Sequence, residues 1–115
     1  MLKLVVLIRK LPSVSREAFR EYYEAHHAPL AKRLLPMIAR YTRSFLPEPE
    51  PGGEPLPCDV VTEIWFRNQA DYDAFRARLA EPDVLAAIRA DEANFLISDA
   101  TRSYLTIEAG DMVAC

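Results

Sequence analysis

Leu4-Val5-Val6-Leu7-Ile8, close to the start of the chain, is the stretch whose reading decides the fold. Five apolar residues follow one another, several of them β-branched, in a segment bounded by Lys10 and Pro12. A strand with one wet face would alternate apolar and polar residues; this one is apolar on both faces. Such a strand sits in the middle of a sheet and needs cover on both sides. It is read as a strand over 2–9.

Ser15 follows as a helix N-cap, its hydroxyl placed to accept from an orphan amide of the first turn, and Glu17 suits the positive helix end. Phe19, Tyr22, Tyr23, His26, Leu30 and Leu34 recur at helical spacing and define one apolar face. Pro29 has no N–H, and its ring crowds the carbonyl of Ala25. The sequence therefore predicts a kink or break near Ala28 and a second short segment over 30–38. A second strand over 40–46 places Tyr41, Arg43 and Phe45 on one face. Residues 47–57 hold five of the nine prolines and two of the three glycines, which makes them a solvated loop between strands. In the third strand, over 60–66, Val60, Thr62, Ile64 and Phe66 alternate with Val61, Glu63 and Trp65.

Asn68 caps the next helix, whose buried face carries Tyr72, Phe75 and Leu79. Pro82 fits the first turn of a further short helix bearing Val84, Leu85 and Ile88. Asp91 is expected to cap a final turn that brings Phe95 inward, and a last strand runs over 101–108. The order is β-α-β-β-α-β over a single domain of residues 1–109, with a tail at 110–115. This is the ferredoxin-like α+β arrangement, a four-stranded antiparallel sheet with its helices on one face. Helices on one face cannot cover both sides of the first strand. A second copy of the sheet can, so a homodimer is expected.

A chain of 115 residues, half of them hydrophobic, is one domain with ample material for a core. The net charge of −3, with Lys and Arg scattered, gives no footprint for nucleic acid or an anionic membrane. The first apolar run is too short to span a bilayer and lacks the marks of a signal peptide. Cys58 and Cys115 make no disulfide framework, so a cytoplasmic, reduced protein is the expectation. There is no Gly-rich phosphate loop, no Cys-x-x-Cys and no nucleophile elbow, so no nucleotide, iron–sulfur or flavin cofactor is expected.

The chemistry centres on Tyr22-Tyr23-Glu24-Ala25-His26-His27-Ala28-Pro29-Leu30, which contains both histidines of the chain. Histidine alone exchanges its proton near neutral pH without help. Each His lies four residues after a tyrosine, so each pair touches on a helix. Adjacent helical residues diverge by about 100°; with no other ligand at usual spacing, a metal site is not expected. The plain alternative is one packed and one surface histidine beside two core tyrosines, and spacing does not choose between His26 and His27. Glu63 is an acid/base candidate if its strand face is buried and a surface carboxylate if it is not. Trp65 shares its face, as core or interface. Asp91 and Glu92 read either as caps or as site carboxylates.

Taken together, these motifs resemble those of the EthD family of dimeric α+β barrel proteins. The likeness is carried by Phe19 through Tyr22-Tyr23 to His27-Ala28-Pro29-Leu30, by Arg40-Tyr41, by Thr62-Glu63-Ile64-Trp65-Phe66, and by Asp91-Glu92 with Phe95. It implies a ferredoxin-like monomer that dimerises through its sheet, with a small-molecule pocket between sheet and helices. The His followed by x-Pro-Leu selects His27, and Asp91 and Glu92 match the family's paired acids. The function expected is that of a cofactor-independent enzyme acting on a small hydrophobic or aromatic molecule, by oxidative degradation or polyketide-type tailoring. His27 would be the acid or base, with Tyr23 orienting it and Asp91 assisting. Phe19, Trp65, Phe75 and Phe95 would wall the pocket, and Tyr22, His26, Glu63 and Glu92 would contact the substrate. Two alternatives stand beside this reading: a non-catalytic binding or accessory module for an oxidoreductase, and a cofactor-free monooxygenase.

Overall fold

β1 (Leu2–Ile8) is paired along both edges, as its doubly apolar sequence requires. In this computed structural model, which describes residues 1–113, it runs antiparallel to β3 (Val60–Phe66) on one side and to β4 (Arg102–Ile107) on the other. β2 (Arg40–Phe45) pairs antiparallel with β3 at the far edge, so the four-stranded sheet has the order β2-β3-β1-β4. The fold is ferredoxin-like α+β. The tail expected at 110–115 extends past the described residues and takes Cys115 with it; Cys58 is buried and unpaired.

Alternation in the register sorts the strand side chains. Leu4, Val6 and Ile8 share a face with Val60, Thr62, Ile64 and Phe66. That face packs under α1 (Arg16–Tyr22), α2 (Ala28–Leu34), α3 (Gln69–Leu79) and α4 (Pro82–Glu92). One core cluster joins Ile64 and Phe66 to Ala31, Leu35, Phe75 and Ile88; the other joins Ile8 and Val60 to Phe19, Tyr23, Ala28 and Phe95. Both N-caps read from the sequence form: Ser15 Oγ accepts from Ala18 N–H and Asn68 Oδ1 from Asp71 N–H.

The helix around Pro29 is irregular where a kink or break was expected, and it does not break. It continues from α1 into α2 through a π-helical turn, Tyr23–His27, in which the Ala28 N–H reaches back to the Tyr23 carbonyl. Pro29 lies in the first turn of α2. A wider turn is one way a helix accommodates the lost donor and the crowding ring without breaking. The helix also stops at Leu34, short of the expected 38, with Pro36 just beyond it.

The opposite sheet face carries no helix. Val5, Leu7 and Val61 are half-buried there, and Tyr104 is 55% exposed. The burial expected for both faces of β1 is met within one chain only at Ile8; Leu4 and Val6 on the helix side are half-buried like Val5 and Leu7 on the open side. At the other end of this open face Lys3 bridges Glu63 (2.7 Å) and Glu108 (3.0 Å), and Trp65 Nε1 donates to Glu108 (2.7 Å).

Residues 47–57 lie at the surface, as expected, and turn at Gly52, whose φ of +81° is one that glycine adopts without strain. The loop is closed at its root. Leu46 N–H donates to the Asp59 carbonyl (3.0 Å), and the buried Asp59 carboxylate accepts from Lys10 N–H (2.9 Å) and pairs with Arg16 (2.9 Å). Replacing residues 49–55 by a short Gly-Ser link leaves all three contacts in place. Because loop closure depends weakly on length, urea unfolding should then change by less than about 1 kcal/mol; a larger loss would make the loop a structural element.

Candidate active site

The π turn places Tyr23 and His27 inward on one wall, 1% and 8% exposed, and leaves His26 outside. His27 Nδ1 lies 2.8 Å from Asp91 Oδ2, at the end of α4. Asp91 Oδ1 accepts from the Tyr22 hydroxyl (2.6 Å), which in turn accepts from Asn94 Nδ2 (2.9 Å). Burial, and next the bond to Asp91, raises the Tyr22 phenol, so it keeps its proton and donates it. A carboxylate on Nδ1 holds that nitrogen in its N–H form and leaves the lone pair of the neutral ring on Nε2. Among the described residues no side chain or backbone group bonds to Nε2, which keeps some contact with solvent. Phe95, fully buried, packs against the His27 ring at 5.0 Å between centroids.

His27 borders a cavity of about 190 Å³ between sheet and helices. Leu4, Val6, Ile8 and Ile64 form its floor, and Phe75, Leu79 and Ile88 are among its apolar walls. Its polar lining comprises His27, Glu92, Thr101, Ser103 and a cluster of three hydroxyls. In that cluster Tyr23 Oη lies 2.8 Å from Tyr41 Oη and 2.7 Å from Thr62 Oγ1. Burial is the main force raising the Tyr23 and Tyr41 phenols above their ordinary value of 10.0.

The residues singled out from sequence fall into distinct places. His27, Tyr23, Phe75 and Glu92 line the cavity. Asp91, Tyr22 and Phe95 stand behind His27. Phe19 packs behind Tyr23, its ring edge-on at 6.3 Å. The orienting role expected of Tyr23 falls geometrically to Asp91: Tyr23 meets the His27 ring edge-on at 5.3 Å, but its hydroxyl points to Tyr41 and Thr62. Asp91 caps no helix; its two oxygens are taken by His27 and Tyr22. His26 is exposed and stacks on Tyr22 at 4.7 Å. Glu63 and Trp65 occupy the opposite sheet face and do not reach the cavity, because strand alternation turns them away from Thr62 and Ile64.

Tyr41, Thr62 and Asn94 are additions of the structure. Thr62 had a signal, a hydroxyl in the otherwise apolar set of Val60, Ile64 and Phe66. Asn94 had one only after Asp91 was placed, since it lies one helical turn beyond it. Among the described residues no three His, Cys, Asp or Glu side chains come together as a metal site, and no helix is long and apolar enough to cross a membrane.

Residues 11–99 match the model of the EthD domain. The chain belongs to the EthD family. An EthD family protein from Bacillus halodurans superposes with a TM-score of 0.65 at 19% identity, over 95% of this chain and 100% of that one. A dimeric protein of ferredoxin-like fold from Bacteroides fragilis gives 0.52 at 16%, over 91% and 93%. SnoaB, a cofactor-independent oxygenase from Streptomyces nogalater, gives 0.55 at 19%, over 96% and 95%. At these identities the likeness is one of fold. No curated protein matches this EthD chain in sequence.

The buried phenols set the alkaline behaviour of this EthD protein. Below about pH 10 Tyr23 and Tyr41 are protonated both folded and unfolded, so they add no pH dependence there. Above it the unfolded chain ionises first. The folded state then holds more protons, and stability falls as pH rises, by up to about 1.4 kcal/mol per pH unit for each retained proton. Urea unfolding between pH 8 and 11 should show this decline, and Tyr41→Phe should make it shallower.

Proposed function

We propose that this EthD protein is a cofactor-independent enzyme that moves a proton on a small hydrophobic or aromatic molecule, with His27 as acid and base. One observation carries the reading: Asp91 holds Nδ1, so the free Nε2 of a buried histidine is left to serve the mostly apolar cavity that His27 lines. An apolar space with a few converging polar groups suits such chemistry. A cavity of ~150 Å³ lined by aliphatic and aromatic residues holds benzene. About 190 Å³ therefore takes one ring and a substituent.

In this reading Nε2 takes a proton from an acidic C–H or a phenolic O–H. Asp91 balances the imidazolium that forms and keeps the ring from turning. Tyr22, braced by Asn94, keeps the Asp91 carboxylate aimed at Nδ1. Phe95 packs on the His27 ring and Phe75 lines the cavity, so the base is bordered by apolar surface. The proposed enzyme works as a homodimer, because Val5, Leu7, Val61 and Tyr104 form an apolar area on the uncovered sheet face that a second copy would bury.

The test is a panel of single-ring phenols and cyclic ketones, screened for binding by ligand-observed NMR and for turnover by mass spectrometry. His27→Gln should lower kcat by about 10²–10⁴-fold, and Asp91→Asn should lower kcat with little change in KM. Turnover that survives His27→Gln would remove the assignment; ligands that bind and leave unchanged would favour a binding module. In light scattering at micromolar concentration the chain should run as a dimer, and Leu7→Glu should return it to a monomer.

A further inference from the structure

Three hydroxyls meet on the cavity wall, and their protons do not balance. Tyr23, Tyr41 and Thr62 carry one hydroxyl proton each, while the contacts among them, Tyr23 to Tyr41 and Tyr23 to Thr62, use two. Whichever way those bonds run, one O–H is left over. Among the described residues no other hydrogen-bond partner reaches these three oxygens, so the spare donor is free to face the cavity that all three residues line. Burial keeps both phenols protonated, which makes the cluster a donor and not a base. His27 borders the same space with the opposite polarity, a lone pair on Nε2. A fixed donor and a base in one small, apolar chamber are the two parts needed to take a proton from a carbon next to a carbonyl.

We propose that the Tyr23–Tyr41–Thr62 cluster is an oxygen-binding cradle, and that the substrates it selects are ketones of about one ring with an acidic α C–H. The proposal rests on the reading of His27 as the base. Nε2 takes the α proton, the C–H electron pair becomes the C=C bond of an enolate, and the C=O π pair moves onto the oxygen. That oxygen accepts the spare hydroxyl hydrogen bond, which strengthens as negative charge develops. Return of a proton from the imidazolium to carbon restores His27. The step consumes no oxidant and no second reactant.

The probes are cyclohexanone and methylenecyclohexane, which share a shape and differ in the oxygen. Their affinities are measured for the full chain and for the triple variant Tyr23→Phe, Tyr41→Phe, Thr62→Val, which removes the whole cluster and so leaves no member unpaired. The affinity ratio, ketone over hydrocarbon, should be about three- to tenfold higher in the native chain, the size of one neutral hydrogen bond. Thr62→Ser, which keeps a hydroxyl, should preserve the ratio. If the triple variant does not fold, the ¹³Cζ shifts of Tyr23 and Tyr41 in the native chain decide: they should move with cyclohexanone and stay still with the hydrocarbon. Equal ratios in the native and triple-variant chains, or unmoved shifts, overturn the cradle. In D₂O the native protein should exchange the α hydrogens of cyclohexanone, and His27→Gln should stop it. A raised ketone ratio with exchange indifferent to His27→Gln would uphold the cradle and overturn the base; exchange that needs His27 with equal ratios would do the reverse.

Discussion

The contact between His27 and Asp91 is the one on which the site depends. His27 belongs to the first helix-crossing of the fold and Asp91 to the end of the second. Their 2.8 Å approach joins the two halves of the chain over the cavity. It forms only because the helix passes Pro29 without breaking. Had the helix ended near Ala28, the turn carrying Tyr23 and His27 would have frayed. Instead the π turn keeps both side chains on the inner face, and the wider turn decides which histidine meets the carboxylate.

A polar group in such a place has a cost, and the structure answers it locally. An orphaned buried donor or acceptor costs about 1–3 kcal/mol. Among the described residues no buried side-chain nitrogen or oxygen lacks a partner. Tyr22 and His27 share one carboxylate, and the Tyr23 hydroxyl gives Tyr41 and Thr62 each a partner. The two networks stay separate although Tyr22 and Tyr23 are neighbours in sequence. One network leaves a lone pair facing the cavity and the other leaves a proton. Aromatic packing fixes their spacing: Phe95 touches the rings of Tyr22, Tyr23 and His27 at 4.9, 5.6 and 5.0 Å.

The fold was legible because its signals are local and redundant. A doubly apolar β1, a β-branched and aromatic run in β3, and caps at Ser15 and Asn68 each state their role within a few residues. The candidate site was legible in its residue types and less so in its geometry. An ideal 3.6-residue period puts His26 and His27 near the same apolar face, and only the π turn separates them; its cause, Pro29, was visible, but a proline can equally kink or end a helix. Trp65 misled for a different reason. It is buried, as a tryptophan on a strand suggests, yet its cover comes from Arg40 and Lys3 over the ring and Glu108 on its indole nitrogen, not from the helices. Local pattern left Asp91 open between a cap and a site carboxylate; its partners lie about 65 residues away in sequence, beyond any local pattern.

That cover also shapes what can lie against the open sheet face. Register divides the face in two. Toward one end sit Leu7 and Val61, with Val5 and Tyr104 beside them; toward the other sit Lys3, Glu63, Trp65 and Arg40, with Glu108 reaching in. The Trp65 bond and then the Lys3 contact hold the Glu108 carboxyl below its usual range, and the Glu63 bond foremost raises Lys3, so these groups stay charged. Stripping water from charges that are already paired is tolerable only if the pairing survives. A second copy docking on this face would therefore be driven by the Leu7 end and constrained by the Lys3 end. The apolar residues would supply the attraction, since they lose exposure without losing a partner. The charged group would set the register, because a slip that placed an apolar side chain over Lys3 or Glu63 would bury a charge without compensation.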